Sequence, residues 1–221
     1  DFSLVHNFFD VMIVDAPCSG SGLFRKDEEA IEEWSLDNVT HCSRRQQRII
    51  ADALPCLKKD GILIYSTCSY SAEENENICA WITEQWEMES LPLKTEKSWG
   101  IVETKAATGE YGYRFYPDKV KSEGFFIACF KKEFGKDEPF TKGKMKPEYI
   151  SKDDEIYVRK MMLKDKHNFF KYRFKIYSLP ACFDRDLEFL MGRLWIQYFG
   201  TMLGELKHQK LIPEHAFALN G

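Results

Sequence analysis

Residues 11–14, VMIV, form an unbroken apolar run that passes straight into a loop, DAPCSGSG (15–22). A continuous, β-branched run of this kind reads as a strand buried on both faces of a parallel sheet. A second such run, ILIYSTC (62–68), follows a DG turn at 60–61. Between the two, DEEAIEEW and SRRQQRIIADALPCL carry apolar residues at helical spacing, and Pro55 should kink or end the second helix. SAEENENICAWITEQW (71–86) reads as a further helix, with Ser71 and Glu74 at capping-box spacing. This alternation predicts α/β architecture. MESLPL and GFFIACFKK (124–132) suit two later strands, joined by a long segment, KSWGIVETKAATGEYGYRFYPDKVKSE. A surface loop of that length inside a domain usually carries function.

FGKDEPFTKGKMKPEYISKDD (134–154) is polar, rich in Lys, Gly and Pro, and reads as a linker. Beyond it, FFKYRFKIYSLP (169–180) and WIQYFGTMLGELK (195–207) suit strands around a helical DRDLEFLMGRL, and LIPEHAFALNG looks like the start of a helix. The expected organisation is a catalytic-sized domain over 1–133, a linker over 134–154 and a small α+β unit over 155–221. No internal repeat or low-complexity tract is evident.

At 221 residues, 44% hydrophobic and 30% charged, the composition is that of a globular protein. No apolar run approaches the roughly 20 residues that cross a bilayer, and the N-terminus lacks the basic region and cleavage site of a signal peptide. The seven cysteines are odd in number, scattered and not in CxxC pairs, which argues against a disulfide framework or a metal site and suggests a reducing cytoplasm. The net charge of −4 is unevenly spread. Residues 1–93 hold 7 Lys/Arg against 17 Asp/Glu, residues 94–175 hold 20 against 13, and residues 176–221 hold 4 against 5. The basic middle is either a nucleic-acid face or a solvated lysine-rich surface.

Ligands of open α/β sheets bind beyond the carboxyl ends of the strands. If the strands of residues 11–14 and 62–68 are neighbours, Cys18 and Cys68 share one crevice despite lying 50 residues apart. Both sit in polar Ser/Gly loops, where a partly exposed thiolate can act as a nucleophile. Cys56, Cys79 and Cys129 fall on apolar faces and read as small hydrophobes.

DAPCSGSGLFRKD, RRQQRIIADALPCLKKDGILIYSTCSYSAEENE and GYRFYPDKVKSEGFF, in that order, resemble the motifs of the Sun-type RNA (cytosine-5) methyltransferases. The likeness covers roughly residues 10–131 and, more loosely, GELKHQKLIPEHAFALN, with SAEENE in place of the family's proline form. It is nearest to the bacterial branch that modifies ribosomal RNA and carries a C-terminal PUA-like module. The resemblance implies S-adenosylmethionine as cofactor, RNA as partner (ribosomal RNA in a subunit or precursor), no membrane, no metal, and the C-terminal half of a Rossmann-like sheet followed by the small α+β unit. It further implies that Cys68 attacks carbon 6 of the cytosine, that Cys18 assists release, and that Asp15 holds the cytosine edge beside the cofactor. Pro17 would shape the cofactor-side loop, and Ser19, Gly20, Ser21 and Gly22 would admit a close backbone approach, or simply make a tight turn. Arg25, Lys26 and Arg114 would contact RNA, although Arg25 and Lys26 equally suit exposed ion pairs. Tyr111, Tyr113 and Phe115 suit either base stacking or a half-buried strand, and the target base would be flipped out.

The family places a glycine-rich cofactor loop, a ribose-binding acid and an adenine-contacting strand ahead of the DAPC motif. Residues 1–14 contain none of them, so the chain is expected to be an internal piece of a longer enzyme and unable to bind the cofactor properly alone. Two other readings stand beside methyl transfer: an RNA-binding or ribosome-assembly protein of the same fold without catalysis, and a thiol redox protein using Cys18 and Cys68 as a couple.

Overall fold

The computed structural model describes residues 2–135, 145–160, 166–207 and 210–218. The chain divides into two units, 2–138 and 139–221.

The first unit opens with β1 (Phe9–Asp15). After the Ser/Gly loop come α1 (Glu28–Glu33) and α2 (Leu36–Ala53), capped by Asp27 and Ser35, whose side chains accept the backbone N–H groups of Glu29 and Asn38. α2 buries Val39, Cys42, Gln46, Ile50 and Ala53 at helical spacing and ends in a 3-10 turn containing Pro55. β2 (Leu57–Thr67), α3 (Glu76–Gln85), β3 (Met88–Ser90), β4 (Val102–Lys105), β5 (Tyr111–Phe115) and β6 (Phe125–Lys132) follow. Their sheet runs β1-β2-β6-β5-β4, with β3 also on β6; β1 and β2 are parallel and the other pairs antiparallel. Leu63, Tyr65, Phe126, Ala128 and Phe130 from the sheet pack with Ile50, Leu54, Ile78 and Ile82 from the helical side. Burying one such side chain contributes about 1.5–3 kcal/mol, so this core fixes the strand ends that carry the loops. Cys56, Cys79 and Cys129 are buried apolar residues, as expected.

Four details differ from the sequence reading. β1 is parallel to β2 but not buried on both faces: Val11 and Ile13 are 54% and 68% exposed, because no described element covers that face. The DG at 60–61 is not a turn between elements but an irregularity within β2, where Asp60 takes a positive φ of 61° and the β1 register shifts between Phe9 and Val11. The long 97–123 segment is no open loop; VETK and YGYRF pair as an antiparallel hairpin, β4 to β5. Ser71 makes no side-chain cap, and α3 begins at Glu76 after a 3-10 turn, because the Glu74 carboxylate is engaged elsewhere.

The second unit comprises β7 (Glu148–Tyr149), α4 (Lys152–Arg159), β8 (His167–Tyr172), β9 (Lys175–Pro180), α5 (Asp184–Met191), β10 (Thr201–Lys207), β11 (Lys210–Pro213) and α6 (His215–Ala218). Its sheet is antiparallel, in the order β11-β10-β9-β8-β7, around Val158, Phe169, Ile176, Leu203 and Leu211. Residues 169–180 form two strands rather than one: Arg173 and Phe174 both take positive φ, which closes a two-residue hairpin. Residues 195–200 precede β10 instead of extending it. The linker reading fails for residues 148–154, since β7 pairs with β8 and Ser151 caps α4; residues 136–144 of that stretch lie outside the described residues.

Candidate active site

The parallel register of β1 and β2 pairs Asp15 with Ser66, and the Ala16 N–H donates to the Ser66 carbonyl at 2.9 Å. Both chains therefore leave the sheet side by side. Two residues beyond Ala16 and one beyond Thr67, the Cys18 and Cys68 sulfurs meet at 2.9 Å, and both are partly exposed. The hydrogen bond between them divides the pair: it holds the Cys68 thiol below its ordinary pKa, while for Cys18 the same bond, with burial added, pushes the thiol well above it. Of the two thiols, Cys68 is therefore the one shifted towards the thiolate form.

Several buried groups hold the two loops in register. The Glu74 carboxylate is fully buried and accepts from the Ser19 N–H (2.7 Å), the Ser19 hydroxyl (2.6 Å) and the Ser69 hydroxyl (2.5 Å). Ser19 follows Cys18 and Ser69 follows Cys68, so one carboxylate grips both cysteine loops. Ser21 accepts the Tyr70 N–H at 2.8 Å, and the Gly22 N–H donates to the Cys68 carbonyl at 2.8 Å. Only glycine suits position 22, where a Cβ would stand 2.4 Å from the Gly124 carbonyl oxygen and 2.7 Å from that of Cys68. Gln46 of α2 donates to the Pro17 carbonyl at 3.0 Å. Asn75 accepts from the Thr67 hydroxyl at 2.6 Å and donates to the Ser69 carbonyl at 2.8 Å.

Asp15 is exposed at the carboxyl end of β1, with the Ser66 hydroxyl donating to Oδ1 at 2.8 Å. Pro17 is half-buried in the Cys18 loop. Arg25 is exposed but engaged, donating to Glu123 at 3.0 Å and to the Ser122 carbonyl at 3.1 Å; Lys26 is exposed. Arg114 departs from its expected role as an RNA contact. It is 7% exposed, and its guanidinium is spent on both oxygens of Glu76 and on the Tyr70 carbonyl at 2.9 Å. A charge this deep must be paired, and Arg114 instead braces the residue two beyond Cys68. Tyr113 is likewise buried, its hydroxyl accepting the Leu93 N–H, and Phe115 packs edge-on against Phe125; these fit the half-buried-strand reading. Tyr111 is half-buried beneath the Lys105 ammonium.

Sequence reasoning missed Glu74, Asn75 and Glu76 as the frame of the site. The available signal was the cluster of acids at the head of a helix whose next turn is apolar: on a solvated helix such acids favour the N-terminal dipole, but Glu74 and Glu76 are buried. Among the described residues no group of three or more His, Cys, Asp or Glu is placed to hold a metal ion, and no helix is long and apolar enough to cross a membrane.

Comparison with known proteins agrees on the first unit. Residues 1–131 match the family described as 16S rRNA methyltransferase RsmB/F. The chain is 41% identical over 126 residues to the ribosomal RNA small subunit methyltransferase F of Psychromonas ingrahamii, covering 56% of this chain and 26% of that protein. It is 30% identical over 208 residues to the protein of the same name from Vibrio vulnificus, covering 92% and 42%. Among solved structures, the crystal structure of PH0851 matches with a TM-score of 0.51 at 29% identity, over 57% of this chain and 27% of that one. The chain thus spans between about a quarter and two fifths of the length of these curated relatives.

Proposed function

Because the chain belongs to the RsmB/F family of 16S rRNA methyltransferases, we propose that it forms the cysteine-bearing part of an enzyme that methylates carbon 5 of a cytosine in ribosomal RNA, within a subunit or its precursor. The observation that carries this reading is the 2.9 Å approach of Cys18 and Cys68 at the ends of two parallel strands. Carbon 5 of cytosine is a weak nucleophile until a thiolate adds at carbon 6. Cys68, with its lowered pKa, supplies that thiolate, and the ring becomes an enamine-like adduct able to attack an electrophilic methyl group. Solvent water then takes the carbon 5 proton as the sulfur–carbon 6 bond breaks, and Cys68 departs as a thiolate. Cys18, within hydrogen-bond reach of the Cys68 sulfur, is placed to promote that elimination.

S-adenosylmethionine supplies the methyl group when bound. The residues present suit a part of it: the Asp15 carboxylate lies exposed at the strand end where α/β ligands bind, beside Pro17, with Ser66 fixing one of its oxygens. A fixed carboxylate there complements a cationic ligand and also orients the cytosine edge. Arg25 and Lys26 stand exposed after the Ser/Gly loop as candidate phosphate contacts, and we read the second unit as a PUA-like RNA-binding module. The cytoplasm is the compartment in which this chemistry on ribosomal RNA is expected.

The test uses the full-length protein. Nucleoside mass spectrometry of 16S rRNA incubated with enzyme and S-adenosylmethionine should find 5-methylcytidine, and Cys68→Ala should abolish it. Methylation retained by Cys68→Ala, or a different methylated nucleoside, overturns the assignment.

A further inference from the structure

The first unit is strongly acidic over residues 1–93 and the middle of the chain strongly basic, yet the structure distributes usable charge differently. Part of the basic middle is ion-paired. Arg114 pairs with Glu76, Lys131 with Asp60, Arg159 with Glu155, Lys171 with Glu148 and Lys175 with Glu214. Within the acidic stretch, Arg44 and Arg48 of α2 are exposed and make no ion pair among the described residues. With His41 they fall at i, i+3 and i+7, on one face of the helix. That face borders a shallow, open groove of about 540 Å³, flanked by Trp81 of α3, which is half-buried against the core.

We propose that this α2–α3 groove is a second RNA site, binding the phosphodiester backbone of a single-stranded stretch through Arg44 and Arg48 and stacking a base on Trp81. The inference rests on the methyltransferase reading for its choice of RNA over another polyanion. Arg44 and Arg48 are about 6 Å apart along the helix axis, the scale of adjacent phosphates on one strand. An indole beside guanidinium groups offers the sequence-tolerant platform on which single strands stack. Other faces of the same helix hold the cysteine site: Gln46 donates to the Pro17 carbonyl and Ser43 to the Glu73 carbonyl, each at 3.0 Å. RNA seated on the exposed face would therefore be held by the element that frames the reacting thiols.

The experiment is equilibrium filter binding of full-length protein to protein-free 16S rRNA transcript across a salt series. Arg44→Glu/Arg48→Glu should weaken binding about tenfold or more at 0.1 M salt and flatten the slope of log affinity against log salt by about 1.4, the value for two single-strand phosphate contacts. Trp81→Ala should weaken binding about fivefold or more with the slope unchanged. If the charge reversals unfold the protein, Arg44→Gln/Arg48→Gln should still flatten the slope. Affinity within twofold of wild type, or weakened binding with an unaltered slope in the arginine variants, overturns the proposal. Binding needs no methyl transfer, so this outcome is read separately from the Cys68→Ala test.

Discussion

Removing the Glu74 carboxylate is the sharpest perturbation of the frame around the two thiols. Three donors converge on it, the Ser19 N–H, the Ser19 hydroxyl and the Ser69 hydroxyl, at 2.7, 2.6 and 2.5 Å, and the side chain is fully buried. In Glu74→Ala the donors lose their acceptor. Each unsatisfied buried group costs about 1–3 kcal/mol; allowing the hydroxyls to re-pair, Ser69 with Ser21 for instance, the sum falls to about 3–5 kcal/mol. That is a large part of the roughly 5–15 kcal/mol by which a domain is stable. Glu74→Gln keeps the shape and an acceptor for the Ser19 N–H but turns charge-assisted bonds into neutral ones, for a loss of about 1–3 kcal/mol. The assay is urea unfolding of the full-length protein by circular dichroism, with methylation rates measured alongside. Both should fall in the order wild type, Gln, Ala, and methylation should fall even where the protein remains folded, because the spacing of Cys18 and Cys68 depends on the loops Glu74 joins. An alanine variant within about 0.5 kcal/mol of wild type, the ordinary span of a neutral surface change, and equally active would refute the reasoning.

Other consequences are open to direct measurement. Cys18→Ala removes the hydrogen bond that lowers Cys68, so the Cys68 alkylation midpoint should move up in pH and its rate at pH 7 should fall; an unchanged midpoint counts against the thiol–thiol bond. For Glu76, burial pushes the carboxyl up but hydrogen bonds from Arg114 and Thr104 outweigh it, leaving the folded pKa lowered. The stability it contributes is therefore present above the unfolded value of about 4.3 and lost as pH falls through the folded one. Acid titration of Tm should show this loss in wild type and not in Glu76→Gln. Arg114→Met strands the Glu76 carboxylate and should cost about 3–5 kcal/mol in urea unfolding. Gly22→Ala drives a Cβ into two carbonyl oxygens, so Tm should drop by the equivalent of about 1–3 kcal/mol, with methylation lost; a normal Tm would show that the loops yield there.

How far the sequence predicted the site depended on the range of the interactions involved. Unbroken apolar runs and helical spacing located β1, β2, α2 and β6, and the two Ser/Gly-flanked cysteines stood out because no core needs a thiol in such a loop. Their meeting required only that two strands be neighbours, a condition the sequence left open and the parallel β1–β2 register meets. The capping-box reading of Ser71 and Glu74 failed because local spacing cannot register that Glu74 has better partners 55 and 5 residues away in Ser19 and Ser69. Arg114 failed for the same reason: its partner Glu76 lies 38 residues off, and a lone arginine among aromatics looks alike on a surface and in a core. Segment charge totals likewise say nothing about which cations are already paired, as the buried Arg114–Glu76 pair shows.

The division of labour between the two cysteines is tested most directly by intact mass spectrometry of the full-length Cys18→Ala protein incubated with 16S rRNA and S-adenosylmethionine, followed by peptide mapping. The expected product is a stable protein–RNA adduct through the Cys68 sulfur, on a cytosine already carrying its carbon 5 methyl group, with no such adduct in Cys18→Ala/Cys68→Ala. Free methylated RNA released at the wild-type rate, or an adduct that maps to any residue other than Cys68, would contradict it.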